Sequence, residues 1–269
     1  ITIDAQDDAL HTDGDMTISG GECILSTGDD GAHAALSLTV LGGKITVLTS
    51  YEGLEANQIT LADGELDITA TDDGINANGG SDGGFGGGFG GGRGGMGGSF
   101  GGRRNDTNNH SGDMTPPDGN APSGNPPTMP GQDAADSTTT DDTTDKQPVL
   151  LITGGKITVN ADGDGLDSNG NLRVEDGDIT VNGPSNGGNG ALDIGTENGG
   201  AGVIAGGTLI ALGTSSMAEN FGSTSTQCAF LVTMNSFGAG ETITITDSQG
   251  NVLYTGVTVK SANSVVFSS

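Results

Sequence analysis

Tryptophan is absent from the 269 residues, tyrosine occurs twice, and aromatic residues make up 3% of the chain. With only 32% of residues hydrophobic, a thick globular core is excluded, and only a thin core, one strand-width across, can be filled. Positive charge is equally scarce. Eight Lys and Arg face 35 Asp and Glu, a net charge of −27, so the field repels nucleic acid and anionic membranes and attracts cations. There is no apolar run of transmembrane length, no secretory signal and no initiator Met, which suggests a processed or excised segment. Acidity, few lysines and the lack of a cytosolic cofactor motif point to an extracellular or cell-surface setting. No Ser-His-Asp arrangement, phosphate loop or zinc motif is present either.

Cysteine is limited to Cys23 and Cys228. Both are expected to be small buried hydrophobes. The alternative is an intermolecular bridge between stacked subunits, because ends of a stack separated by many strand spacings cannot meet at disulfide distance.

Glycine, by contrast, is abundant, with 52 residues, and it punctuates a repeat. Asp7-Asp8-Ala9-Leu10-His11 returns as Asp29-Asp30-Gly31-Ala32-His33, Tyr51-Glu52-Gly53-Leu54-Glu55 and Asp72-Asp73-Gly74-Ile75-Asn76. It reappears as Gly163-Asp164-Gly165-Leu166-Asp167 and, more loosely, as Asn189-Gly190-Ala191-Leu192-Asp193. The second acid advances from 8 to 30 to 52 to 73, steps of 22, 22 and 21. A period in the twenties with short strands between glycine turns predicts a solenoid.

Each repeat carries two alternating strands around a corner. Met16-Thr17-Ile18, Leu38-Thr39-Val40, Ile59-Thr60-Leu61, Leu150-Leu151-Ile152 and Leu172-Arg173-Val174 precede corners such as Gly42-Gly43 and Asp63-Gly64. Ile45-Thr46-Val47, Leu66-Asp67-Ile68, Ile157-Thr158-Val159 and Ile179-Thr180-Val181 follow them. Alternation places the aliphatic members inside and the polar ones outside. A third inward column follows the acidic turn through Leu10, Ala32, Leu54, Ile75, Leu166 and Leu192. Three inward strands per repeat predict an all-β fold, a right-handed parallel β-helix of about 22 residues per turn.

Residues 1–78 and 149–269 are assigned to this domain, and residues 79–148 interrupt it. The interruption opens with 16 glycines between Gly79 and Gly102 and continues as a Pro, Asn, Asp and Thr tract. Such composition predicts disorder, with extended glycine helices packed along the solenoid as the alternative. Three arginines, Arg93, Arg103 and Arg104, are too few for an RNA-binding segment beside so anionic a body. After Thr208–Gly213, the last strand of the repeat, residues 213–269 are expected to form a β-rich terminal cap. Its strands are Thr242–Thr246, Val252–Tyr254, Val257–Val259 and Val265–Phe267, with a hairpin turn at Asp247–Asn251.

Stacking puts Asp8, Asp30, Glu52, Asp73 and Asp164 in one column, with Asp7, Asp29 and Asp72 beside it. Unit charges about 5 Å apart repel by roughly 0.8 kcal/mol in bulk water and by more near a protein surface. One calcium ion could bridge carboxylates on successive repeats, which stand about 4.8 Å apart. The alternative is that Asp-Gly pairs are turn formers with solvated carboxylates. His11 and His33 fall in an outward column continued by Glu55, Asn76, Asp167 and Asp193. They are read as outward residues paired on adjacent repeats, with a transition-metal site as the alternative. Asp167 joins the candidate metal ligands. Because paired carboxylates recur on every repeat, a structural use is favoured over one tuned catalytic pair, and the chain is expected not to be an enzyme.

The Asp-Asp-Gly turns, Gly-Gly corners, Ile-Thr-Val strands and Gly/Phe-rich insertion occur together with a terminal Thr-Ile-Thr-Ile-Thr-Asp-Ser-Gln-Gly-Asn-Val-Leu and Ser-Val-Val-Phe-Ser-Ser. Over residues 1–78 and 149–269 the chain thereby resembles the secreted bacterial carbohydrate-binding domains built on a pectate-lyase-like parallel β-helix that holds calcium. The resemblance implies several calcium ions and binding, without cleavage, of an acidic polysaccharide such as polygalacturonate, or of cellulose. By position the ligands would be Asp7, Asp8, Asp29, Asp30, Glu52, Asp72, Asp73 and Asp164, although Tyr51, Gly163 and Gly190 break the columns. A contrasting expectation is a structural subunit that stacks end to end into a filament or surface layer, a homo-oligomer joined through the solenoid.

Overall fold

Alternation of aliphatic and polar residues becomes strand wherever the sequence carries it, as in Glu22–Ser26, Lys44–Thr49, Glu65–Ala70 and Val149–Ala161. A computed structural model describes residues 1–78 and 147–269, which belong to one compact unit. The expectations for residues 79–146, His110 included, lie outside the described residues. Among those described the fold is all-β, with a mostly parallel sheet of 17 strands, a two-stranded hairpin and one short 3-10 turn at Thr196–Asn198. No helix among them is long and apolar enough to cross a membrane.

The parallel ladders join each repeat to the next. One runs Cys23–Ile45–Leu66–Ile157–Ile179–Leu209, and another runs Met16–Leu38–Ile59–Leu150–Leu172. A third runs Leu10–Ala32–Leu54–Ile75–Leu166–Leu192. The register resumes across the 79–148 segment, because Ile59 pairs with Leu150 and Leu66 with Ile157. Apart from Leu10 and Met16 these side chains are buried and form one continuous cluster. Burying a Leu or Ile side chain contributes roughly 1.5–3 kcal/mol before the cost of ordering it. The thin core is therefore supplied by repetition along the stack.

The corners behave as their sequence predicts. The second residue of each pair has positive φ, at +92° for Gly21, +97° for Gly43, +113° for Gly64, +91° for Gly155, +121° for Gly177 and +77° for Gly207. Residues with a Cβ resist that region.

Parallel pairing ends at Thr208–Gly213, which on its far side takes the antiparallel strand Ala262–Ser268. That strand is flanked in turn by Ala229–Phe237. Thr242–Thr246 and Val252–Val257 form the separate hairpin, closed by Asp247, whose Oδ1 accepts from the amides of Gln249 and Asn251.

Three expectations are corrected here. Cys228 is exposed, while Cys23 is buried. Cys228 precedes a strand with a sheet partner on one side only, whose Phe230, Val232 and Met234 are also exposed, so an apolar run did not mean burial. No separate strand occupies Val257–Val259; a single strand ends at Val257. The column thought to face outward is largely covered: His33, Asn76 and Asp167 are 8%, 5% and 9% exposed.

Candidate metal centre

The acidic turns stack through their backbones. Amides of Ala9, Gly31, Gly53 and Gly74 donate to the carbonyls of Asp30, Glu52, Asp73 and Asp164 at 2.8–3.0 Å. Each bond carries one repeat onto the next, so side chains at equal positions lie over one another. Some acids add a second tie. Asp8 Oδ1 accepts the Asp30 amide at 3.0 Å, Asp73 Oδ1 accepts the Asp164 amide at 2.6 Å, and Asp164 Oδ1 accepts the Gly190 amide. One oxygen of each of these carboxylates holds the neighbouring repeat, and the other is left for a different partner.

Three residues after each acid, on the short strand that follows, comes the second functional position. Register places His11, His33, Glu55, Asn76, Asp167 and Asp193 in one ladder. The site is thus a double column whose successive pairs are Asp8/His11, Asp30/His33, Glu52/Glu55, Asp73/Asn76 and Asp164/Asp167. Asp7 and Asp29 stand exposed beside it, with Tyr51 in the next repeat and Asp72 half-buried in the one after. Asp7, Asp8 and Asp29 bring three carboxylate oxygens within 4.8 Å of one another. All nine acids expected from the sequence therefore lie on this face. Glu55 and Asn76 also belong to the site, and the three-residue spacing from each acid was the signal that could have added them.

Burial and mutual repulsion raise the affinity of these acids for protons. Burial, then the charges of neighbouring acids, pushes Glu52 up to about 8 and Asp167 up to about 9. Asp73 and Asp164 rise to about 6 and about 7, again through burial and despite the amides they accept. Asp30 is pushed upward by burial and by its hydrogen bond to Glu55, and Asp29 by burial and by Asp8 and Asp7. Tyr51 is held up to about 12 through its hydrogen bond to Asp72.

Among the described residues the Lys and Arg ion pairs do not reach this charge. Lys44, Arg173 and Lys260 pair with Glu65, Glu175 and Asp162, none of them a column acid. Two buried amide oxygens, of Asn76 and Asn160, are unmatched among the described residues, and that of Asn76 lies in the double column. Asn76 Nδ2 donates to Glu52 Oε2 at 3.1 Å, whereas its Oδ1 is buried and has no hydrogen-bond partner among the described residues. An acceptor in that position among carboxylates fits a cation with an oxygen shell. A cavity of about 450 Å³ opens at the histidine end of the double column, between Asp7, Asp8, Asp29, Asp30, Glu52 and Glu55. A second cavity, of about 250 Å³, lies among Ser185, Thr214, Ser236 and Asn263 and has no charged group in its wall.

Comparison of the chain with protein-family models, with curated proteins and with solved structures returns no match.

Proposed function

We propose that this chain is a non-catalytic extracellular protein, a right-handed parallel β-helix that holds calcium along its acidic column and binds an acidic polysaccharide through those ions. The observation that carries the reading is the stack of half-buried Glu52, Asp73 and Asp164 beside the buried Asp167 and Asn76, whose amide oxygen has no donor among the described residues. Calcium takes six to eight oxygens at about 2.3–2.6 Å. Carboxylates on repeats about 4.8 Å apart can share such an ion, and it would replace the protons that burial otherwise retains.

Charge argues for the class of ligand. At −27 a uronate polymer is admitted only where a divalent ion stands between the two sets of carboxylates. The exposed Asp7 and Asp29 lie where an ion could be shared in this way. Cellulose is less well served, because Tyr51 is the only aromatic residue in the acidic turns and stacking on a neutral sugar needs a ring surface. The non-catalytic reading is supported by repetition: an acid recurs from turn to turn along the column instead of standing as one isolated pair.

The test is calorimetric titration of polygalacturonate into the full chain, with calcium and again with excess chelator. Binding that needs calcium supports the proposal. Full affinity in chelator rejects bridging, and equal affinity for neutral cellulose oligomers rejects the ligand class.

A further inference from the structure

The two ends of the double column offer different chemistry. From Glu52 onward every donor is an oxygen. The first two repeats instead carry Asp-x-x-His twice, Asp8 to His11 and Asp30 to His33, spaced 22 residues apart. Parallel pairing of His11 with His33 turns both imidazoles to the same side of the ladder. Their rings stand edge to face with centroids 4.9 Å apart, so they are not stacked flat.

We infer that these two repeats form a separate site for a transition-metal dication of the zinc class, with Asp8, His11 and His33 as donors and Asp30 as the fourth. Asp8 Oδ2 lies 2.7 Å from His11 Nδ1 and 3.5 Å from His33 Nδ1, and Asp30 Oδ2 lies 3.8 Å from His33 Nδ1. Donors bound tetrahedrally at about 2.0–2.2 Å stand roughly 3.3–3.5 Å apart. Asp8, His11 and His33 already bring one donor atom each within 4.8 Å of one another, so side-chain rotation places these three on one ion while Asp30 approaches from the side of His33. Asp8 is already oriented, because its Oδ1 is held by the Asp30 amide and its Oδ2 is turned toward both rings. His33 is more than nine-tenths buried and has Glu55 Oε2 at 3.9 Å. His11 is 44% exposed and opens the approach from solvent.

Selectivity follows from the donor atoms. Imidazole nitrogen suits zinc, cobalt, nickel and copper, whereas calcium takes oxygen. Two nitrogens and two carboxylates, with no Lys or Arg in the wall of the adjoining cavity, make a neutral site once a dication binds. The inference does not rest on the calcium proposal: it uses the two histidines, which calcium would not.

The experiment is a cobalt(II) titration of the untagged, metal-stripped full chain in excess calcium, followed by the visible absorption of nitrogen-ligated cobalt. The expected result is one equivalent of bound cobalt, displaced by zinc, with affinity lowered more than about 100-fold in both His11→Gln and His33→Gln. His11→Gln keeps the test decisive should the buried His33 variant fail to fold, which far-ultraviolet dichroism reports. Cobalt binding abolished by calcium, an unchanged spectrum in the His11→Gln variant, or no cobalt spectrum at all would overturn the inference and leave edge-to-face ring packing only. Asp167→Asn separates the two proposals, since it is expected to weaken calcium binding and leave the cobalt spectrum intact.

Discussion

Gly31, Gly53, Gly74 and Gly165 follow the column acids, and what requires them is proximity. A Cβ on Gly53 would sit 2.2 Å from the Gly74 carbonyl oxygen and 2.3 Å from Ile68 Cγ2, and one on Gly31 would sit 2.4 Å from the Gly53 carbonyl oxygen. Backbone cannot retreat from backbone without breaking the amide–carbonyl bonds that stack the turns. Gly53→Ala is therefore expected to lose at least about 1–3 kcal/mol and to lower calcium affinity as well, read by denaturant unfolding and calorimetry. Asp167 shows the opposite balance. Without metal its carboxyl is pushed up to about 9 by burial and is neutral at pH 7, so Asn replaces it in shape and charge. Asp167→Asn should leave metal-free stability unchanged or higher while reducing the melting-temperature rise produced by calcium. An equal calcium response in this variant would remove Asp167 from the ligand set.

For the column as an element, the individual shifts combine into a pH dependence. Asp73, Asp164, Glu52 and Asp167 have folded values of about 6, 7, 8 and 9, all above the ordinary carboxylate range near 4. Between those limits the folded state binds more protons than the unfolded state, so metal-free stability falls as pH rises from about 4 to about 9. On the proposed reading calcium would bind the ionised form, and its stabilisation would grow with pH. Thermal melts at pH 5 and pH 8 check this: the metal-free protein should melt lower at pH 8, and saturating calcium should raise the melting temperature more at pH 8 than at pH 5. A metal-free melting temperature that is flat with pH would contradict the burial of these acids.

Also at this scale, the ladder registers were legible because alternation and a period of about 22 leave only one way to pair Cys23 with Ile45 and Leu54 with Ile75. Coverage of the second column was not. Alternation tells which residues turn away from the aliphatic core, but His33 is enclosed by Asp8, Asp30 and Glu55, which converge on it only after stacking.

For the whole molecule, a net charge of −27 makes self-repulsion a general cost, which monovalent salt relieves within a Debye length of about 8–10 Å. Such screening acts on exposed groups like Asp7 and Asp29 and reaches the buried Asp167 poorly. At matched ionic strength calcium should therefore raise the melting temperature several-fold more than sodium chloride, and chelator should reverse the difference. Equal effects of the two salts would reduce the ion to a diffuse counter-charge. The antiparallel strand Ala262–Ser268 acts at the same scale. Laid against Thr208–Gly213, it carries Phe267 into contact distance of Phe230 and Tyr254, with ring centroids 5.6 and 6.3 Å away. Phe267 belongs to a second apolar cluster with Ile210 and Leu212, against which Tyr254 packs, whereas Val266 of the same strand joins the aliphatic stack.

Sequence alone determined the all-β class, the period, the three aliphatic columns and the presence of an acid at each turn, because backbone alternation and glycine corners are local properties that repeat. Tertiary structure decided which oxygens are buried, that Asn76 is left with an acceptor unmatched among the described residues, that Cys228 is exposed, and that two histidines 22 residues apart meet across one acid. Those outcomes depend on distances between neighbouring turns. Side chains far apart in the chain become neighbours only when the amides of one turn close on the carbonyls of the next.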